Sequence, residues 1–212
     1  MEYKDFLLND IAILSYGNKF DKNKMTYHSP SVNFVSRTGM NNGVSGMVDI
    51  VDNVEPFPAG SITLAFGGSI GSCFLQDKPF YTGQNVGVIR LPDNVPDEAK
   101  LYFTTALEKI CKIRFVTFAD EINKHFKTDL SVVLPVALDG LPDWQYMRKC
   151  IAELEQERIT ELTAYLVDTG LDDYELTEED KQALVAMSSR GGTLSRTEVM
   201  KALLNFGGKN SK

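Results

Sequence analysis

A serine flanked by glycines, Gly67-Gly68-Ser69-Ile70-Gly71, has the spacing of a covalent nucleophile. In the G-x-S-x-G elbow a strand delivers the serine to a sharp turn, and a helix follows at once so that the hydroxyl stands exposed. A plausible strand precedes Ser69, and His125 follows in a chain order that a catalytic triad permits. The residues after the turn, Ser72-Cys73-Phe74-Leu75-Gln76-Asp77-Lys78-Pro79, read instead as a second strand, and no acid is specially placed for His125. The stretch is therefore expected to be a Gly-rich hairpin turn whose backbone can approach a ligand closely, phosphate included. A hydrolase built on Ser69 is the rival. No G-x-x-x-x-G-K-[ST] occurs, so nucleotide hydrolysis has no support. Cys73, Cys111 and Cys150 form no Cys-x-x-Cys, which excludes a zinc ribbon and a disulfide framework, and the distance between His28 and His125 argues against a His-rich metal site.

Other polar clusters carry a different chemistry. Phe34-Val35-Ser36-Arg37-Thr38-Gly39-Met40-Asn41-Asn42-Gly43 places Ser, Arg, Thr and two Asn in a loop after a strand. These are the side chains that read base edges: Arg against guanine, Asn against adenine, Ser or Thr against either. Tyr81-Thr82-Gly83-Gln84-Asn85 is a second polar loop. Phe118–Lys127, with Lys112 and Arg114 just before it, is a third. Lys19, Lys22 and Lys24 sit among Tyr16, Phe20 and Tyr27. Several such loops on a β-rich scaffold suit a polyanion better than a small-molecule pocket, although Asn-Asn-Gly is also an ordinary turn and a lone Lys is commonly a solvated charge.

The elements that must hold these loops follow from the apolar runs. Val32–Val35, Ser61–Phe66, Val86–Leu91 and Val132–Val136 are short, β-branched or aromatic, and bounded by Gly, Asn or Pro, which is the signature of strands. A helix is expected after Pro96, through Leu101, Phe103, Leu107 and Ile110, with Asp97 and Glu98 in its first turn. From Pro142-Asp143-Trp144 the pattern is helical to about Thr169, where Gly170 stops it. Its apolar positions Met147, Ile151, Leu154, Ile159, Leu162, Tyr165 and Leu166 fall three or four apart, opposite Glu153, Glu157 and Glu161. So narrow a stripe reads as a coiled-coil seam of about three heptads; a helix packed on its own domain is the alternative. Two further helices are expected to start at Thr177 and Ser195. The fold class is thus α+β: a β-rich domain at 1–141 and a helical region at 142–212.

The chain has 212 residues, 43% hydrophobic and 24% charged, enough to bury a core. Mean hydropathy is −0.17. No apolar run reaches the about 18 residues of a membrane span. Met1-Glu2-Tyr3-Lys4-Asp5 is charged and leads into no long apolar run, unlike a secretory signal, and a cytoplasmic protein is expected. Net charge is −7. Residues 151–190 carry eleven acids against Arg158, Lys181 and Arg190, which more than accounts for that charge, so the rest of the chain is close to neutral. An acidic protein with one acidic segment can still present a basic face elsewhere; an adaptor whose acidic helices bind protein is the competing reading.

Taken in order, Phe34-Val35-Ser36-Arg37-Thr38, Asn41-Asn42-Gly43-Val44, Gly60 through Gly71, Phe80-Tyr81-Thr82-Gly83-Gln84-Asn85-Val86, Leu134-Pro135-Val136 and Pro142-Asp143-Trp144-Gln145-Tyr146-Met147 form a set. That set resembles the target recognition domain of restriction–modification specificity (S) subunits, of type I systems and related type II enzymes, over residues 5 to about 170. The resemblance implies a non-catalytic reader of one half of a bipartite duplex DNA sequence, through loops in the major groove. It holds no cofactor or metal of its own. A partner methyltransferase would bring S-adenosylmethionine and flip out an adenine for N6 methylation, and a motor and nuclease subunit could join. A full subunit has two recognition domains and two helical spacers. This chain resembles one of each, so it would homodimerise through the long helix and read a palindromic split site, or pair with another half.

On this resemblance Lys19, Lys22 and Lys24 would contact phosphates, and Arg37, Asn41 and Asn42, with Ser36 and Thr38 beside them, would reach base edges. Gly68, Ser69 and Ser72 would let the backbone approach the sugar-phosphate chain. Thr82, Gln84 and Asn85 form a second base-reading group or, equally, a turn tying two strands. Lys112, Arg114, Lys124, His125 and Lys127 would supply flanking phosphate contacts.

Overall fold

The computed structural model describes residues 1–115 and 121–171. The chain divides into two units, Met1–Arg158 and Ile159–Lys212. The helices expected at Thr177 and Ser195 lie outside the described residues, as does the start of the Phe118–Lys127 cluster.

Among the described residues the first unit is a mixed α+β fold with three sheets. Strands β1 (Tyr3–Leu7) and β9 (Ser131–Pro135) form an antiparallel pair. β2 (Ile13–Tyr16), β8 (Val86–Arg90), β5 (Ile62–Ala65) and β6 (Cys73–Leu75) form a four-stranded antiparallel sheet in that order. β4 (Val44–Val48), β3 (Val32–Val35) and β7 (Phe80–Thr82) form the third, in which β3 and β7 run parallel. Helix α1 (Leu8–Ile11) follows β1, α2 (Asp97–Arg114) follows β8, and the short α3 (Ile122–His125) precedes β9.

The core follows from residue periodicity. Alternate residues of a strand face opposite sides of a sheet. In β3, Val32 and Phe34 pack with Val48 and Tyr81, while Val35 packs with Phe80, Val86 and Val88 on the other side. The largest core joins β5, β8 and β9 to α2. Helix α2 buries Ala99, Phe103, Leu107 and Cys111, every fourth residue, so the stripe runs obliquely round the helix and leaves Leu101 exposed. Asp97 and Glu98 at its start and Lys112 and Arg114 at its end complement the helix dipole.

Helix α4 spans Trp144–Asp168. Asp143 caps its start by accepting from the Tyr146 amide at 2.9 Å. At its other end, in the second unit, the Leu171 amide donates to the Leu166 carbonyl at 2.8 Å. Gly170 takes a left-handed φ of 65° there, the C-terminal arrangement that glycine permits without strain. Met147 is a correction to the expected seam. It is wholly buried in the core of the first unit, because the first turn of α4 lays Trp144 and Met147 against Phe103 and its neighbours. Leu154, Ile159, Leu162 and Tyr165 are exposed, between 53% and 59%. Ile151 and Leu166 are half-buried.

Gly87 of β8 shows how tightly the sheet is filled. A Cβ there would stand 2.4 Å from Phe66 Cζ and 2.8 Å from Phe126 Cζ. Gly87→Ala is expected to lower unfolding stability by about 1–3 kcal/mol through forced displacement of two buried rings. Urea denaturation checks this, and an unchanged midpoint would contradict it.

Candidate nucleic-acid interface

Strand register brings four loops to one end of the first unit. Tyr16, the last residue of β2, pairs with Gly87 near the start of β8. Ala65, the last of β5, pairs with Val86, the first of β8. Val35 and Thr82, the last residues of β3 and β7, pair with each other. The segments that leave these ends are therefore neighbours: 17–21, 36–43, 66–72 and 83–85. Backbone bonds join them. The Gly83 amide donates to the Val35 carbonyl at 2.8 Å, Phe66 to Asn85 at 2.9 Å, Gly17 to Val86 at 2.9 Å, Phe20 to Thr82 at 3.1 Å and Ser69 to Arg37 at 3.0 Å.

Glycine is required where these loops touch. Gly68 has φ 66°, and a Cβ on it would lie 2.6 Å from the Arg37 carbonyl oxygen. Over Gly67 the Arg37 guanidinium and the Asn85 amide converge, at 3.4 and 3.9 Å from where a Cβ would stand. The expected hairpin is present: β6 pairs with β5 directly after the turn. No helix follows Ser69, so the elbow geometry that a serine nucleophile needs is missing. The thiols are no better placed. Cys73 and Cys111 are buried, and burial pushes the Cys111 thiol up to about 12 and that of Cys73 well up. Among the described residues no cluster of His, Cys, Asp and Glu could hold a metal ion.

Side chains from three of the polar clusters line one groove of about 300 Å³: Lys22, Ser36, Arg37 and Gln84, with Phe20, Asp21, Phe34 and Gly83. Beside the loops, Tyr16 is 40% exposed. Its ring contacts Phe66 and Phe126 and carries two ammonium groups, Lys19 Nζ at 5.5 Å and Lys127 Nζ at 4.8 Å from the centroid. Two cations held over one exposed ring make a local positive site. Lys24 and Lys124 are exposed nearby in sequence, and Ser69, Gln84 and Asn85 are exposed.

Other candidates are engaged within the fold. Lys22 Nζ donates to the Ser45 carbonyl, so its ammonium is tied to β4. Lys112 pairs with Glu108. Arg114 and His125 both bind Asp129, at 3.3 and 2.7 Å. The Thr38 hydroxyl accepts from the Met40 amide at 3.2 Å. Asn41 and Asn42 take left-handed φ values of 49° and 55°, and their amide nitrogens donate to the carbonyls of Val44 and Leu75. Two assignments are corrected outright. Thr82 has no exposed surface; its hydroxyl accepts from the Asn18 amide at 2.8 Å and its amide donates to Asn18 Oδ1 at 3.0 Å. It ties the 17–21 loop down and cannot reach a ligand. Ser72 is buried under Gly39.

Three residues emerge here that types and spacing did not single out. Tyr16 shows only as an aromatic among lysines. Asn18 and Gln76 act through backbone partners distant in sequence, and no local pattern announces them. A larger cleft of about 570 Å³ lies at the far end of the β2–β8 pair, where Ile13 faces Arg90. Its lining is mostly apolar, with Asp10 and Asp93 against Arg90, which is the wrong charge for a polyanion.

Comparison with known proteins gives one consistent family. Residues 1–164 match the family described as the type I restriction modification DNA specificity domain. The specificity subunit S.BcgI of a type II restriction enzyme from Heyndrickxia coagulans is 25% identical over 155 residues, covering 73% of this chain and 44% of that protein. Among solved structures, the S subunit of a type I restriction–modification system from M. genitalium superposes with a TM-score of 0.53 at 16% identity, covering 81% of this chain and 44% of that one. HsdS from Thermoanaerobacter tengcongensis gives 0.52 at 13% identity, covering 77% and 39%. The solved structures share this fold, and the chain spans less than half the length of each of these relatives.

Asp129 yields a test of the local electrostatics. Hydrogen bonds from His125 and then Thr128 hold its carboxyl below the usual range. A carboxylate depressed in the folded state stabilises the fold above its ordinary pKa, and that contribution is lost as pH falls through the folded value. Asp129→Asn should therefore lower the melting temperature near neutrality and flatten its fall as pH drops below about 4, so that the two proteins converge in acid. An acid limb identical to that of the parent would contradict the assignment.

Proposed function

The chain belongs to the type I restriction modification DNA specificity domain family, and we propose that it acts as a non-catalytic specificity subunit reading one half of a bipartite DNA site. The single observation that carries this reading is the convergence of four loops at one end, with Arg37 and Gln84 in a common groove and Lys19 and Lys127 on the adjacent Tyr16 ring. Phosphate contacts position a protein on the duplex, and base-edge contacts specify. Lys19, Lys24, Lys124 and Lys127 are the phosphate contacts. Arg37, with five donors in a rigid fork, is the principal base reader, flanked by Ser36, Gln84 and Asn85. Gly68 and Ser69 bring the hairpin turn close to the sugar-phosphate chain. Asn41 and Asn42 shape the loop more than they read bases, since their amide nitrogens are engaged.

A partner adenine methyltransferase supplies S-adenosylmethionine and the chemistry, and a restriction subunit completes the assembly where the system cleaves. It works in the cytoplasm, where chromosomal DNA is reached. Two copies pair through helix α4, whose exposed Leu154, Ile159, Leu162 and Tyr165 offer the apolar seam. S.BcgI, a specificity subunit by name, lends weight to this role.

Co-expression with the cognate methyltransferase and mapping of N6-methyladenine across the genome tests the reading. A palindromic, interrupted motif is expected. Arg37→Ala should relax one position of it, whereas Lys19→Ala with Lys127→Ala should keep the motif and lower methylation at every site. An asymmetric motif would overturn the homodimer, and absence of any motif from a soluble, co-purifying complex would overturn the specificity role.

A further inference from the structure

The β5–β6 hairpin grips the Arg37 loop twice. Its turn does so through the Ser69 amide on the Arg37 carbonyl. Its base does so through Gln76, which has no exposed surface. Gln76 Nε2 donates to the Asn42 carbonyl at 2.9 Å and to Thr63 Oγ1 at 3.1 Å. In return Asn42 Nδ2 donates to the Leu75 carbonyl at 2.8 Å. A carbonyl oxygen only accepts, so the amide nitrogen must face Asn42.

This grip falls where the loop needs it. Asn41, Asn42 and Gly43 are three consecutive left-handed residues, with φ of 49°, 55° and 77°. For the two asparagines that conformation is costly and persists only where its surroundings impose it. Gln76 pins the Asn42 carbonyl, which shares its peptide plane with the Gly43 amide. That amide donates to the Met40 carbonyl, and the Gly43 carbonyl accepts from the Ser36 amide, both at 2.9 Å. A chain of hydrogen bonds thus runs from a buried side-chain amide to the backbone beside Arg37.

We propose that Gln76 is a positioning residue for sequence discrimination: it does not touch DNA, and it sets the loop geometry from which Ser36 and Arg37 reach base edges. This rests on the DNA-reading role above. Gln76→Met keeps length and volume and removes the donor. The full chain and its variant are each used to select bound duplexes from a randomised pool, alongside melting curves and bulk duplex affinity across a salt series. Gln76→Met is expected to melt cooperatively and to keep bulk affinity within about twofold with an unchanged salt slope. Preference at one or two adjacent positions should fall about tenfold, at the same positions that Arg37→Ala relaxes. Adding Asn42→Gly should restore part of that preference, since glycine takes the left-handed φ unaided.

If Gln76→Met does not fold, Asn42→Ala carries the same test from the exposed side, with the same positions expected to relax. A wild-type motif that the variants leave unchanged overturns the role of Gln76 alone. Loss of preference at all positions in step with bulk affinity overturns it as well, because a merely structural residue would do that. Failure of the wild-type chain to select any motif overturns the DNA-reading role itself, and this proposal with it.

Discussion

The parallel pairing of β3 with β7 is the constraint on which the rest of the loop end depends. Parallel neighbours cannot be joined by a tight turn. Here the crossover contains β4, β5 and β6, so a large loop must close before Val35 meets Thr82. Once it has closed, Arg37 and Gln84 leave adjacent strand ends in the same direction. Thr82, with no exposed surface, then latches the 17–21 segment through Asn18, and the Gly83 amide bonds Val35. Arg37 and Gln84, from distant parts of the chain, share one groove because of this register.

Charge is distributed unevenly along this acidic chain. Among the described residues of the first unit, some basic side chains pair with acids and others lie over aromatic rings. Lys112 pairs with Glu108, and Arg114 and His125 with Asp129. Lys19 and Lys127 sit over an aromatic ring instead. Exposed ion pairs add little stability, so the pairing around Asp129 matters more for which cations remain available than for holding the fold.

Much of the scaffold was legible in the residues. β3, β5, β8 and β9 are runs of β-branched or aromatic side chains, and α2 and α4 carry their start signals in Asp97-Glu98 and Asp143. β1 escaped because Phe6 is its only buried residue and Tyr-Lys-Asp precedes it. β4 escaped because Gly46 interrupts it. At the loops, residue type was readable and side-chain direction was not. Thr82 and Ser72 look like polar contacts in a one-dimensional string, yet the pleat turns one into a latch and the 37–40 loop covers the other. Met147 shares its spacing with the exposed stripe, yet the first turn of α4 lies against Phe103 and Trp144. Gln76 could not have been found, since its partner Asn42 is 34 residues away.

The central claim is that the loop end of the first unit, and not the cleft at its far end, meets DNA. Amide hydrogen exchange of the full chain, with and without a duplex carrying the selected motif, tests it most directly. Slowed exchange on binding is expected in residues 36–43, 67–71 and 83–85, with residues 9–13 and 90–93 unchanged. Protection of residues 9–13 and 90–93 with none at the loops would contradict it.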